Sequence, residues 1–196
     1  MLGTPSRNRI SERREATRLE ILDAAWAVAR EKGITALTLR DVAERVGMQT
    51  PSLYSHFESK NAIYDAMFEQ AWAGCLEVMT KALGSAPTEP RARLLHLTRA
   101  YVDYAVADQP RNQLMNARIS ADFEPSPEAY APSVATFELG RQYMAELGVD
   151  ADGDMDLYSS LVGGLVDAQH ANDPGGDRYT RLLERALSMY ADHVGL

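Results

Sequence analysis

Thr38-Leu-Arg-Asp-Val-Ala-Glu-Arg-Val-Gly47-Met-Gln-Thr-Pro-Ser-Leu-Tyr54-Ser-His-Phe-Glu-Ser-Lys60 reads as two short helices joined at a glycine, a helix-turn-helix. Val42, Ala43 and Val46 give the first helix one apolar face. Gly47 falls where the chain must turn sharply, a place for a positive φ that a residue with a Cβ resists. Thr50 suits an N-cap and Pro51 the first helical position, so the second helix is predicted from about Pro51 through His56. Leu53 and Phe57, four apart, form its inward face. Gln49, Thr50, Ser52, Tyr54, Ser55 and His56 then point outward, a hydrogen-bonding set suited to a DNA groove.

Both flanks agree with that reading. Upstream, Thr17 to Lys32 carries Leu22, Ala25, Trp26 and Ala29 at helical spacing and stops at Gly33. Ile34, Leu37 and Leu39 can plug a small core, and Thr38 with Asp41 forms a capping box for the next helix. Downstream, Ser59 caps a long helix in which Tyr64, Phe68, Ala71, Cys75, Val78 and Ala82 make one apolar stripe.

These residues resemble the TetR family of one-component transcriptional regulators over about residues 17–80. Its members open with a helix ending in glycine. They then show a pattern like Thr38-Leu-Arg-Asp-Val-Ala, a glycine turn, Leu53-Tyr54, His56-Phe57 and Ser59-Lys60. The resemblance implies that polar residues of the second helix contact bases and that Tyr54, His56 and Lys60 contact phosphates, with Thr38 and Arg40 adding backbone contacts. The implied DNA-binding set is Thr38, Arg40, Gln49, Thr50, Pro51, Ser52, Tyr54, Ser55, His56 and Lys60. Members usually carry serine or threonine where this chain has Gln49, and glutamine can pair with adenine in the major groove.

Charge is distributed to match. The chain carries 20 Lys+Arg against 28 Asp+Glu, net −8, which alone argues against a nucleic-acid partner. Residues 1–60 nevertheless hold 10 basic and 8 acidic side chains, and residues 61–196 hold 10 and 20. In the first 18 residues, Arg7, Arg9, Arg13, Arg14 and Arg18 face only Glu12 and Glu15, an arm able to lie along phosphates, or a solubilising tail.

At 196 residues and 45% hydrophobic, the chain has room for a reading head over 1–60 and a helical body over 61–196 for ligand binding and dimerisation. No strand pattern stands out, so the expected fold is all-α. The chain shows no membrane-span run and no signal-peptide layout, which leads us to expect a cytoplasmic protein without a membrane partner. The lone Cys75 sits on an apolar stripe and is expected to be packed.

The body divides at Ala86–Pro90, Asp108–Pro110, Phe123–Pro127, Gly148 and Asn172–Gly176. Leu114, Met115, Arg118 and Ile119 are predicted on one helix. Val134, Phe137, Gly140 or Arg141, and Met144 outline another, with Pro132 tolerable only in its first turn or at a kink. Two helices remain, Met155 to Ala171 and Asp177 to His193. Their apolar residues, among them Leu161, Leu165, Leu182, Leu183, Ala186, Leu187 and Tyr190, exceed what a terminal pair in a small monomer needs, and they are expected to form a homodimer interface. Gly163-Gly164 would permit close helix contact. Core packing within one subunit stays open. A helix-turn-helix protein needs two heads to read two half-sites, and this chain holds one.

No metal, cofactor or catalytic site is expected. Asp150-Ala-Asp152-Gly-Asp154 begins like a calcium loop, but Met155 and Leu161 occupy the positions that need glycine and glutamate. The four histidines share no metal spacing, and no nucleophile elbow or phosphate loop occurs. Family resemblance implies an effector cavity within about 60–170. Trp72, Met79, Tyr101, Tyr104, Met115, Arg118, Phe137, Tyr143 and His170 are its candidate lining, suited to an apolar or aromatic small molecule, with Arg118 available for a carboxylate. The reading is a DNA-binding regulator, a repressor released from double-stranded operator DNA by an effector. An effector-free co-regulator and an enzyme on a helical scaffold are the alternatives.

Overall fold

Residues 5–149 and 153–196 are described by a computed structural model. Residues 1–4 and 150–152, which include the start of the basic arm and most of the calcium-like pattern, lie outside the described residues, as does the Arg7 side chain. The described residues form nine α-helices and one 3-10 turn, with no strand. In order they are α1 (Pro5–Lys32), α2 (Leu39–Val46), α3 (Thr50–Leu53), α4 (Lys60–Gly84), α5 (Pro90–Val106), α6 (Gln109–Asn116), α7 (Pro127–Glu146), α8 (Asp154–Asn172), the 3-10 turn (Thr180–Leu182) and α9 (Leu183–Val194). None is long and apolar enough to cross a membrane.

Local chemistry sets most boundaries. Thr38 Oγ1 accepts from Asp41 N at 3.2 Å to start α2, and Gly47, at φ 77°, ends it. Ser59 Oγ accepts from Ala62 N at 3.0 Å to start α4. Asp108 and Ser126 cap α6 and α7 in the same way.

Four expectations need correction. Helix α1 starts at Pro5, not near Thr17; residues 11–16 are all exposed, so that stretch has no buried face for periodicity to report. Helix α6 ends at Asn116, leaving Arg118 and Ile119 in the following loop. Pro132 lies in the second turn of α7, where the Thr136 and Ser133 hydroxyls bond the carbonyls of Pro132 and Tyr130. On the same helix Val134 and Phe137 are more than half exposed, and the inward face is Ala129, Ser133, Tyr143 and Met144.

Two apolar cores run through the molecule. The first joins α1, α2, α3 and the first half of α4, through residues such as Ile21, Val42, Leu53, Phe57, Ile63 and Met67, and extends to Leu114 and Met115 of α6. The second joins α5, α8 and α9, through Leu94, Leu97, Val162, Leu183 and Leu187. Met79 and Tyr101 pack against both. Cross-ties fix α1 to the body: Trp26 Nε1 donates to Gln70 Oε1 at 2.8 Å, and Arg30 forms a 2.7 Å ion pair with the buried Asp108 that caps α6.

Burial of ionisable groups in these cores sets the behaviour at high pH. Desolvation pushes the Cys75 thiol up to about 12, and the Tyr101, Tyr158 and Tyr190 phenols likewise up to about 12. Unfolding returns them towards 9.0 for the thiol and 10.0 for the phenols. Between those values and about 12 the unfolded chain binds fewer protons than the native one, so stability falls as pH rises through that window. Urea midpoints are expected to drop between about pH 9 and about pH 11. A urea midpoint that stays constant across that range would contradict it.

Candidate nucleic-acid interface and ligand cavity

The reading segment begins one residue earlier than its sequence suggests. Gln49, not Thr50, is the N-cap of α3, and its side chain makes no capping bond. Pro51 is then the second helical residue, a position that also lacks an intrahelical N–H partner. Beyond Leu53 the chain continues as hydrogen-bonded turns, with His56 N and Phe57 N both bonded to Leu53 O. Leu53 and Phe57 are buried, as expected.

Gln49, Pro51, Ser52, Tyr54 and Ser55 are exposed, and Thr50 and His56 are half-buried. Thr38 and Arg40 are exposed at the start of α2, which packs against α3. Lys60 opens α4, its ammonium 3.5 Å from Thr35 O and 5.0 Å from the Tyr64 ring centroid. All ten expected residues therefore lie on α2 and α3, on their N-caps Thr38 and Gln49, on the turns after α3, or at the first residue of α4.

Two arginines of the basic arm do something the sequence did not indicate. Arg14 Nη2 donates to Ser55 O at 3.1 Å. Arg18 donates to His56 O and stacks its guanidinium 4.1 Å from the Phe57 ring centroid. They clamp the turns after α3 from behind. Two further ion pairs, Lys32–Asp41 at 2.7 Å and Arg45–Glu31, tie α2 to α1. The Lys32 hydrogen bond, with that of Thr38, holds the Asp41 carboxyl below its usual range.

The body contains a cavity of about 330 Å³ where the two cores meet. Helix α7 packs closely on α4 but has little contact with α8, and the cavity occupies the gap. Of the nine expected lining residues, Trp72, Met79, Tyr101 and Phe137 line it. Five do not. Tyr104 turns away, its hydroxyl bonded to Ala71 O at 2.6 Å and its ring under Arg111. Tyr143 is buried beneath Arg93, and His170 Nε2 donates to Ala105 O at 3.2 Å. Met115 and Arg118 border a separate cavity of about 440 Å³ beside the loop after α6.

Polar lining residues were missed. Asn112 and Asn116 of α6 reach the cavity, with Asn116 Nδ2 donating to Asn112 Oδ1 at 2.9 Å. At positions i and i+4 they resemble a solvated face in sequence. Tyr158 contributes a ring; Thr98 donates its only hydroxyl hydrogen to Leu94 O, so the Tyr158 hydroxyl donates to Thr98 at 2.8 Å. The Trp72 indole N–H is buried without a partner among the described residues.

The apolar residues of α8 and α9 divide between two faces. Leu183, Leu187 and Tyr190 are packed within the chain, correcting their assignment to an outer surface. The outward row is Leu157 and Gly164 on α8 beside Leu182 and Met189, flanked by the half-buried Leu161, Leu165, Ala168 and Ala186, of which Leu161 and Leu165 also pack against the second core. Gly163 faces the cavity instead, where a Cβ would meet nothing within 4 Å.

Residues 21–67 match the sequence model of bacterial regulatory proteins of the tetR family. The tetracycline repressor protein class A from transposon 1721 of Escherichia coli is 28% identical over 172 residues, covering 86% of this chain and 74% of that protein. A solved structure of a protein from Rhodococcus sp. RHA1 superposes with TM-score 0.77 at 20% identity, covering 90% of this chain and 94% of that one. The regulator FadR from Bacillus subtilis, solved with stearoyl-CoA, superposes with TM-score 0.67 at 18% identity, covering 88% and 96%. Family match, relative and fold agree with the capped helix-turn-helix at the N-terminus: residues 21–67 are the helix-turn-helix segment of the tetR family of bacterial regulatory proteins, and the chain is similar to a regulator of that family along most of its length.

Proposed function

We propose that this chain is a repressor that binds operator DNA as a homodimer and leaves it when a small molecule occupies the cavity between α4 and α8. Residues 1–60 form the reading head and 61–196 the body. Gln49, Thr50, Pro51, Ser52 and Ser55 read bases, while Thr38, Arg40, Tyr54, His56 and Lys60 contact phosphates. The outward row on α8 and α9 pairs two chains so that two heads meet major grooves one turn, about 34–36 Å, apart.

The observation that carries the effector reading is a cavity of about 330 Å³ at the seam of the two cores, walled by α4, whose first residue is Lys60 of the head. That volume lies at the lower end of small-molecule sites, roughly 300–1,000 Å³. An occupant acts only through differential affinity for the two head spacings; a coupling of about 1–3 kcal/mol loosens DNA about 5–150-fold.

The test starts with operators selected from random double-stranded DNA. Tyr54→Ala and Lys60→Ala are expected to weaken binding to every sequence and to reduce the salt slope by about one per lost phosphate contact. Gln49→Ala and Ser52→Ala are expected to change preference at particular base pairs by about 1–3 kcal/mol. An unchanged sequence profile in both would remove α3 from the reading role. Gly163→Leu, which fills the cavity, is expected to bind operator yet ignore any effector that releases the parent protein.

A further inference from the structure

We propose that the cavity takes a cationic aromatic compound, its positive end at Asp167 on the rim and its ring among Trp72, Tyr101, Phe137 and Tyr158. This rests on the reading of the cavity as the effector site and names the chemistry of its occupant.

The first argument is charge. Among the described residues the lining includes one carboxylate, Asp167, and no lysine, arginine or histidine. Arg118, the cation that the sequence offered for a carboxylate, lies in the loop beyond α6 and bonds Ala121 O. Asp167 is exposed and forms no ion pair among the described residues, so its charge is available to a ligand. Its field also reaches the wall: burial is the main cause that lifts the Tyr101 phenol, and the Asp167 charge adds to it. Tyr101 and Tyr158 remain neutral well above physiological pH, so they present ring faces and no counter-charge to an anion. The whole body reinforces the sign, with 20 acidic against 10 basic side chains over residues 61–196.

The second argument is the wall itself. Trp72 and Phe137 lie with ring centroids 5.3 Å apart, and Phe137, more than half exposed, stands at the edge of the opening. Faces of aromatic rings carry negative potential and attract a cation within about 6 Å of their centroids. An anion would meet those faces and Asp167 together, with only the neutral donors of Trp72, Asn112 and Asn116 and no cationic side chain of the lining to balance its charge. A fatty acyl-CoA, the kind of ligand named for the FadR structure, brings several such phosphates.

The test uses three probes that share a ring and differ in charge: 2-naphthylmethylamine, 2-naphthylmethanol and 2-naphthoate. Trp26→Phe protein leaves Trp72 as its remaining tryptophan and reports occupancy by fluorescence. The amine is expected to bind about threefold to tenfold more tightly than the alcohol, and naphthoate more weakly than either. Asp167→Asn, an exposed change, is expected to remove the advantage of the amine and leave the alcohol unchanged. Added salt is expected to shrink that advantage in the parent protein alone. Naphthoate binding as tightly as the amine, or an amine preference that survives Asp167→Asn, would overturn the charge assignment while leaving the effector cavity standing. Failure of all three to perturb Trp72 in protein that still binds operator would overturn the effector cavity, and this inference with it.

Discussion

Phe57→Ala is expected to lower the stability of the chain by about 3–5 kcal/mol, the usual effect of removing a buried phenylalanine, and to abolish operator binding. Phe57 is 2% exposed in the first core and directly follows the reading turns. Its ring is also the surface on which Arg18 stacks while donating to His56 O. Its loss therefore opens a cavity under α3 and releases the clamp behind it. Urea unfolding measures the first effect and operator titration the second. Arg18→Ala separates them: DNA affinity is expected to fall with a stability change of about 1 kcal/mol, because a part-buried backbone hydrogen bond to a charged donor is lost and the ring stays in place. Full operator affinity in Phe57→Ala protein would show that the turns after α3 hold their shape without the core beneath them.

The double variant Leu157→Glu/Met189→Glu is expected to be monomeric in sedimentation, to keep its helicity, and to lose about 100-fold to 10,000-fold in affinity for a two-half-site operator once the heads act singly. Both residues are exposed, at 47% and 66%, on the outward row, so charges there meet water in a single chain and oppose each other only across a dimer. Leu183→Glu is expected to fail differently. Leu183 is 0% exposed in the second core, and an unpaired carboxylate there unfolds the body. A parent protein that sediments as a monomer, or a double variant that remains dimeric, would move the interface elsewhere.

The division of α8 and α9 into two faces shows where the sequence was legible and where it was not. Features set by neighbours within a few residues were readable: the Gly47 turn, the Thr38 and Ser59 caps, the proline joints and the inward pair Leu53 and Phe57. The start of α3 was missed by one residue because Pro51 fits either of the first two helical positions. Periodicity shows that a helix has an apolar side without saying which partner covers it, so Leu183 and Leu182 looked equivalent until one was found inside the chain. The site suffered most. Tyr104 and Tyr143 are the same residue type as the true lining residues Tyr101 and Tyr158, but a hydrogen bond and arginine contacts within the chain occupy them, and His170 is held by the Ala105 carbonyl. Asn112, Asn116 and Asp167 line the cavity through the placement of α6 and α8, which no local pattern encodes.

The first core does not stop where the reading segment stops. It continues past Lys60 through Ile63, Tyr64, Met67 and Phe68 and takes in Leu114 and Met115. A chain cut after Lys60 would lack the floor of its own head, so the unit that reads DNA and the unit that folds are different stretches of polypeptide. The free energy that keeps the head from opening locally is therefore held partly in α4 and α6, two of the helices that wall the cavity. An occupant of the cavity that rearranges α6 alters how tightly the head is ordered as well as where it sits, and disorder is a second way, beside displacement, for it to let go of DNA.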